Sequence, residues 1–342
     1  FTMISDVAEL VAVASPTPGN AQALADKKGI PRVFLDYREM LQQPDIDMVT
    51  ITAPNFLHCQ MACDIARAGK HVVCEKPLCI TLEEADEMID VCRQQGVLLM
   101  YAEELLFTPK YCRAKQIVDE GALGKVHLVK QCEKHSGPHS DWFWDVERSG
   151  GGALLDLGCH GIAFCWWFLG RPKIETVYAQ MSTYVHKEKT QGDDEAVCIM
   201  EFEGGSLGIV EVSWNKPGGM DDRIEVYGEE GVIHADLHRG NALHTYSEQG
   251  YGYAVEKASS TKGWTYPVYE EFWNYGIPHE MRHFANCVRG KEEPIVTGED
   301  GRAVQEVIYA AYESARTGKK VPMPFRPAGV ERPVDLWRAP AN

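Results

Sequence analysis

Two short stretches carry residue types able to do chemistry together. The first is Cys74-Glu75-Lys76-Pro77-Leu78, which places a lysine at the carboxyl end of an apolar run. The second runs from Gly150 to His160 and reads as a glycine loop opening a helix, with Asp156 and His160 four residues apart. On one helix that spacing puts both side chains on one face. A lysine, a histidine and an aspartate brought together form a proton-handling site that needs no metal. In this reading His160 exchanges the proton, since its ordinary pKa lies close to neutrality. Asp156 orients the imidazole, and the Lys76 ammonium stabilises developing negative charge. Gly150 to Gly152 would let backbone approach a ligand closely, and Cys159 beside His160 is read as packing.

A third stretch, from His135 to Trp144, offers His135, His139 and Trp142 next to further aromatics. Such residues suit a sugar ring, whose apolar face stacks while its hydroxyls take hydrogen bonds. A metal at His135 and His139 lacks an adjacent third ligand, so none is expected.

These residues need elements to hold them. Apolar runs at 9–14, 48–52, 71–74 and 97–101 read as strands. They alternate with helices: one capped by Asn20 and ending before Gly29, one from Leu57 to Gly69, and one opened by the capping box Thr81-Leu82-Glu83-Glu84 and closed near Gly96. Alternation of this kind predicts a parallel, doubly wound sheet. After Tyr101 the rhythm changes. Thr108-Pro109 is expected to cap and open a helix. Extended runs then follow at 126–133, 174–186, 196–202, 207–214, 223–227 and 232–235, with hairpin turns at Glu203-Gly204-Gly205 and Gly228 to Gly231. A mostly antiparallel sheet is predicted, then helices over 278–288 and 299–316 and an extended proline-rich tail after Pro322.

The length, 342 residues, allows two domains, and the boundary is placed between 103 and 104. The formal charge of −16 argues against nucleic acid and against an anionic membrane surface. Eleven cysteines without a C-x-x-C pair suggest reduced thiols and a cytoplasmic protein.

The ordered set Pro54-Asn55-Phe56-Leu57-His58, Ala68 to Pro77, Gly121-Ala122-Leu123-Gly124 and Gly150 to His160 resembles the Gfo/Idh/MocA oxidoreductases over nearly the whole chain. The resemblance implies a Rossmann-type domain over 1–103 followed by an open-sheet domain over 104–342, whose last helices pack back toward the first. It implies NAD or NADP as cofactor and a sugar, glycoside or cyclitol as substrate, oxidised at a secondary hydroxyl. Lys76, Asp156 and His160 become the catalytic set, with His135 and His139 near the substrate. Ser15, Thr52, Pro54, Asn55, His58, Glu75, Lys76 and Trp142 fall where relatives line the cofactor, and Pro77 where relatives often have a cis bond. A homo-oligomer, dimer or tetramer, is expected from the open sheet. Two other readings share these residues: a glycosidase that oxidises transiently, eliminates and re-reduces, and a non-catalytic ligand-sensing relative.

Three departures from the pattern stand out. No glycine-rich pyrophosphate turn precedes Glu9, so the first βα unit is expected to be missing from the chain as given. Ser15 replaces the acid that selects NAD, and no arginine follows for a 2′-phosphate, which leaves both cofactors open. Phe143 and Leu105-Leu106 stand where relatives often carry arginine, which argues against a phosphorylated or carboxylated substrate.

Overall fold

The computed structural model describes residues 1–238, 245–249, 260–265 and 271–338. In chain order its elements begin with β1 (Ala12–Ala14), α1 (Asn20–Lys28), β2 (Arg32–Phe34), α2 (Tyr37–Leu41), β3 (Met48–Ile51), α3 (His58–Arg67), β4 (His71–Cys74), α4 (Leu82–Gln95) and β5 (Leu99–Tyr101). These strands are parallel and form two ladders, β1 with β2 and β3–β4–β5. One apolar core lies beneath them, including Ile51, Ile65, Val72, Val73, Met88 and Met100.

The second part contains α5 (Pro109–Asp119), β6 (Val126–Lys134), α6 (Val146–Ser149), α7 (Ala153–Asp156), α8 (Gly158–Phe168), β7 (Ile174–Ser182), β8 (Glu195–Phe202), β9 (Leu207–Ser213), β10 (Asp221–Gly228) and β11 (Val232–Asp236). After these come β12 (Thr245–Ser247), β13 (Gly263–Thr265), α9 (Glu271–Asn274), α10 (Ile277–Val288), α11 (Gly298–Thr317), β14 (Val321–Pro322) and α12 (Pro333–Arg338). Seven strands make one sheet in the order β11-β10-β6-β9-β8-β7-β14, antiparallel except for the β6–β9 pair. Alternation along each strand sends one face inward. Val129 and Gln131 of β6, Val210 and Val212 of β9 and Ile224 and Val226 of β10 are buried there against α8 and α11. At one corner that inner face turns polar, with Glu133, His135 and Asp222 buried instead.

Helices α10 and α11 tie the two parts together. Phe284 and Met281 of α10 enter the first core, and Gln305 of α11 donates to the Ile80 carbonyl (2.5 Å). No helix among the described residues is long and apolar enough to cross a membrane.

Several local expectations need correction. Gly19, at φ 87°, is the residue before α1, so Asn20 is helical and does not cap. Thr108 makes no cap bond either; its hydroxyl donates to the Tyr275 carbonyl (3.0 Å), joining two distant segments. The run at 174–186 stops as strand at Ser182, because the amides of Tyr184, Val185 and His186 turn onto the Asp194 carboxylate (2.7–2.8 Å). The tail is not wholly extended: α12 buries Val334 in the core, and Glu331 accepts from the Tyr309 hydroxyl (2.9 Å). Residues 339–342 of that tail lie outside the described residues.

Candidate active site

Parallel sheets bind ligands beyond the carboxyl ends of their strands. Ser15, Thr52, Glu75 and Ala102 are the residues that directly follow β1, β3, β4 and β5. Lys76 extends from the β4 end, and its peptide to Pro77 is cis. Its Nζ donates to the Asp156 carbonyl (3.0 Å) and to Asp156 Oδ1 (3.1 Å). Trp214, fully buried after β9, donates its indole N–H to Asp156 Oδ2 (3.1 Å). Both oxygens of Asp156 are therefore taken, and the carboxylate orients the lysine.

This overturns the expectation that Asp156 orients His160. The two lie on different helices, α7 and α8, separated by Leu157. His160 instead places Nδ1 at 2.7 Å from Glu103 Oε1, with Glu104 Oε2 at 3.7 Å. The three residues offer ligand atoms within 4.8 Å of one another. Glu103 and Trp214 were not singled out from the sequence. The acid pair that begins two residues beyond the end of β5 obeys the same strand-end rule that flagged Lys76, so Glu103 was findable; Trp214 reaches Asp156 only through tertiary pairing.

Burial dominates the electrostatics. It pushes His160 down to about 4, so the imidazole is neutral at physiological pH. It pushes Glu103 up to about 8, against the field of Lys76. Burial and then Glu104 raise Glu75 to about 7. For Lys76 burial opposes the ammonium, but Asp156 and the surrounding acids outweigh it and hold its pKa well above the ordinary value. Burial likewise opposes the Asp156 carboxylate, and Lys76 followed by His135 more than offsets this.

The glycine loop serves the chain rather than a ligand. A Cβ on Gly152 would sit 2.0 Å from the Asp193 carbonyl oxygen and 2.5 Å from its nitrogen. In that contact the Ala153 amide donates to Asp193 O (2.8 Å) and the Leu154 amide to its carboxylate (2.7 Å). The loop thus fixes the start of α7, and through it Asp156. Cys159 is fully buried and its thiol donates to the Asp156 carbonyl (3.2 Å), consistent with packing.

The other flagged residues divide. Thr52 is exposed and Pro54 half-buried at the β3 end. The Ser15 hydroxyl accepts from the Thr17 amide (3.3 Å). Asn55 is buried and donates to the Ser149 carbonyl (2.9 Å), which makes it a tie between segments. His58 is corrected outright: its ring is 1% exposed, with Nδ1 at 3.0 Å from the Pro77 carbonyl and Nε2 at 2.8 Å from that of Ala53, so neither nitrogen is presented to a ligand. His135 is buried near Asp156 and packs edge-on to His139 (5.7 Å). Trp142 stacks on Phe143 at 3.8 Å. Leu105 and Leu106 are core residues.

A nicotinamide dinucleotide can be tested against this donor set. Glu75 lies at the β4 end with its carboxyl raised and largely unpaired, accepting only a long bond from the Lys76 amide (3.4 Å). Thr52 follows the adjacent strand β3 and Ser15 follows β1, so both add hydroxyls at carboxyl ends of parallel strands, and Pro54 adds an apolar surface. These residues fit the group, and would hold its ribose and nicotinamide portions.

Two family models match the chain. "Oxidoreductase family, NAD-binding Rossmann fold" matches residues 1–103, and "Oxidoreductase family, C-terminal alpha/beta domain" matches 115–323. A scyllo-inositol 2-dehydrogenase (NAD(+)) of Bacillus subtilis is 30% identical over 324 residues, 94% of this chain and 90% of its own length. A myo-inositol 2-dehydrogenase of Thermotoga maritima is 29% identical over 321 residues, 93% and 92% of the two chains. Among solved structures, GenD2 from gentamicin A biosynthesis, in complex with NAD, superposes with a TM-score of 0.87 at 33% identity, covering 93% of this chain and 89% of that one.

Proposed function

Because the chain belongs to the Gfo/Idh/MocA oxidoreductase family, we propose that it oxidises a secondary hydroxyl of a sugar, glycoside or cyclitol, or reduces the matching ketone. It is an NAD(P)-dependent oxidoreductase. The single observation that supports the finer reading is the Lys76–Asp156 pair, which joins the β4 end to the helix that leads into α8 and His160. Residues 1–103 would serve the cofactor and 104–342 the substrate.

A bound NAD(P)+ supplies the acceptor for the carbinol hydride. The chain supplies alignment and charge. His160 is neutral, and its Nδ1 is engaged by Glu103. When Glu103 is ionised it accepts from Nδ1–H, which leaves Nε2 free to take the substrate hydroxyl proton. When Glu103 is protonated, Nε2 carries the hydrogen and can give it to a ketone oxygen. Lys76, held charged by Asp156, donates to the same oxygen and lowers the cost of its negative charge.

The test is a panel of polyols and glycosides with NAD+ and with NADP+, following reduced nicotinamide. Turnover is expected on at least one member, and His160→Ala should lower it by about 10²–10⁴-fold. Net hydrolysis without reduced nicotinamide would favour the transient-oxidation glycosidase. Tight ligand binding with no turnover anywhere on the panel would favour a sensor.

A further inference from the structure

The aromatics that follow β6 are not used by proton transfer at His160. Trp142 and Phe143 stack on each other, but Trp144 lines a cavity of about 340 Å³. One wall is formed by residues 144–147, just ahead of the glycine loop, and the other by 187–191, in the segment between β7 and β8. Lys187, Glu188, Lys189 and Gln191 are exposed, so the cavity opens to solvent. Its volume falls within the range of small-molecule sites, about 300–1,000 Å³.

The cavity lies at the reacting end of the second sheet. Strands β6 and β9 run parallel, β8 runs against β9, and β7 runs against β8. The segments after β6, after β9 and between β7 and β8 therefore leave the sheet at the same end. Trp214 gathers all three. Its carbonyl accepts from the Gly137 amide (2.9 Å) and lies 3.3 Å from His186 Nε2. Its indole holds Asp156, and the Trp144 ring packs edge-on against it with centroids 5.2 Å apart. One aromatic pair thus spans from the cavity to the carboxylate that orients Lys76. The β7–β8 segment also carries Asp193, packed on Gly152 at the start of α7, so the cavity wall and Asp156 share a support.

The lining suits a neutral ring. An indole offers an apolar face on which a pyranose or an aromatic ring can stack. The Lys189 ammonium stands over that indole, 5.0 Å from its centroid, on an exposed chain free to swing aside and donate to a hydroxyl. Glu147 is paired with Arg332. That leaves Lys187 and Lys189 against Asp145 and Glu188, donors and acceptors with no net charge to select an ion. From this we infer that the protein acts on a glycoside rather than a free sugar or cyclitol: the glycosyl ring meets Lys76 and His160, and a second ring, sugar or aromatic aglycone, is held at Trp144. The inference rests on the dehydrogenase reading for where the reaction occurs, but the second-ring subsite is itself a matter of binding. Binding energy gathered there, away from the reacting carbon, serves to align it.

Calorimetric titration of the NADH-loaded protein with matched sets tests this. One set is methyl β-D-glucoside, phenyl β-D-glucoside and cellobiose; the other is methyl β-D-galactoside, phenyl β-D-galactoside and lactose. In at least one set a two-ring ligand should bind about tenfold or more tighter than the methyl glycoside, from stacking and burial of the second ring. The phenyl glycoside reports an aromatic aglycone and the disaccharide a second sugar. Trp144→Ala should bring that ratio down to about threefold or less. Lys189→Ala, at an exposed position, should lower it about threefold, as expected for one lost hydrogen bond, and carries the test if Trp144→Ala fails to fold. Equal affinities within both sets, no binding of any two-ring ligand, or a ratio that survives both substitutions overturns the inference. Turnover of the same ligands with NAD+ and with NADP+ separates the two readings. Second-ring preference without reduced nicotinamide defeats the dehydrogenase and leaves the subsite standing; turnover of the methyl glycosides without second-ring preference does the reverse.

Discussion

Glu103→Gln should move activity and stability in opposite directions. Glu103 is fully buried, and its Oε1 lies 2.7 Å from His160 Nδ1. During oxidation the imidazole gains a proton and a charge. A carboxylate about 4 Å from that charge stabilises it by about 4 kcal/mol at an effective dielectric constant of about 20. Ionising Glu103 at pH 7 costs about 1.4 kcal/mol of this, because its folded pKa is about 8, so at about 1.4 kcal/mol per decade its loss predicts kcat lower by about 10²-fold, with KM changed little because Glu103 is fully buried. Stability follows the other sign. Burial raises the Glu103 carboxyl from 4.5 to about 8. An acid whose folded pKa is raised favours the folded state fully below its unfolded pKa, and that contribution is lost as pH rises toward the folded value. At pH 7 the carboxyl must take up a proton on folding, at a cost of about 3 kcal/mol. The amide avoids that cost, so Glu103→Gln should unfold at equal or higher urea concentration than the wild type at pH 7, and show no advantage at pH 4.5. Steady-state kinetics and urea titrations at the two pH values check both halves. Normal kcat in a stable variant would refute the pairing with His160; loss of activity together with loss of stability at pH 7 would refute the electrostatic account.

Other consequences are as direct. Lys76→Met should abolish measurable turnover and destabilise by about 3–5 kcal/mol, because Asp156 is left buried and uncompensated; adding Asp156→Asn should restore the melting temperature but not the rate. Gly152→Ala should cost more than about 4 kcal/mol or prevent folding, because its Cβ would meet the Asp193 backbone at 2.0 Å; a soluble variant with a wild-type melting temperature would contradict this. Between about pH 6.5 and pH 8, above the range in which the buried neutral His160 and His238 gain stability as pH rises, the wild type should lose stability, since burial holds Glu75 and Asp222 near 7 and Glu103 near 8, far above their unfolded values; a flat calorimetric profile across that range would show these carboxyls to be solvated.

Much of the architecture was legible because local signals suffice for it. The Thr81 capping box forms as expected, with reciprocal bonds to Glu84, and Gly29 and Gly96 end their helices in the left-handed conformation. Strand-end position marked Lys76, and it would have marked Glu103 by the same rule. The family resemblance is borne out by both family models. Long-range pairing was not legible. Four-residue spacing suggested that Asp156 serves His160, but Leu157 separates their helices, and the carboxylate is claimed by a lysine 80 positions away and a tryptophan 58 away. His58 had the composition of a ligand-binding residue and proved to be held by two backbone carbonyls. Gly152 looked free to admit a ligand and instead admits Asp193.

The chain's own order of residues thus determined which secondary structures form and which strand end bears the reactive ammonium, because caps, turns and hydrophobic periods act over a few residues. The tertiary structure alone decided which carboxyl serves which base, and that Glu133 and Asp222 face each other across two strands. Those assignments depend on which side chains meet across sheets and helices, and on how much water is left between them.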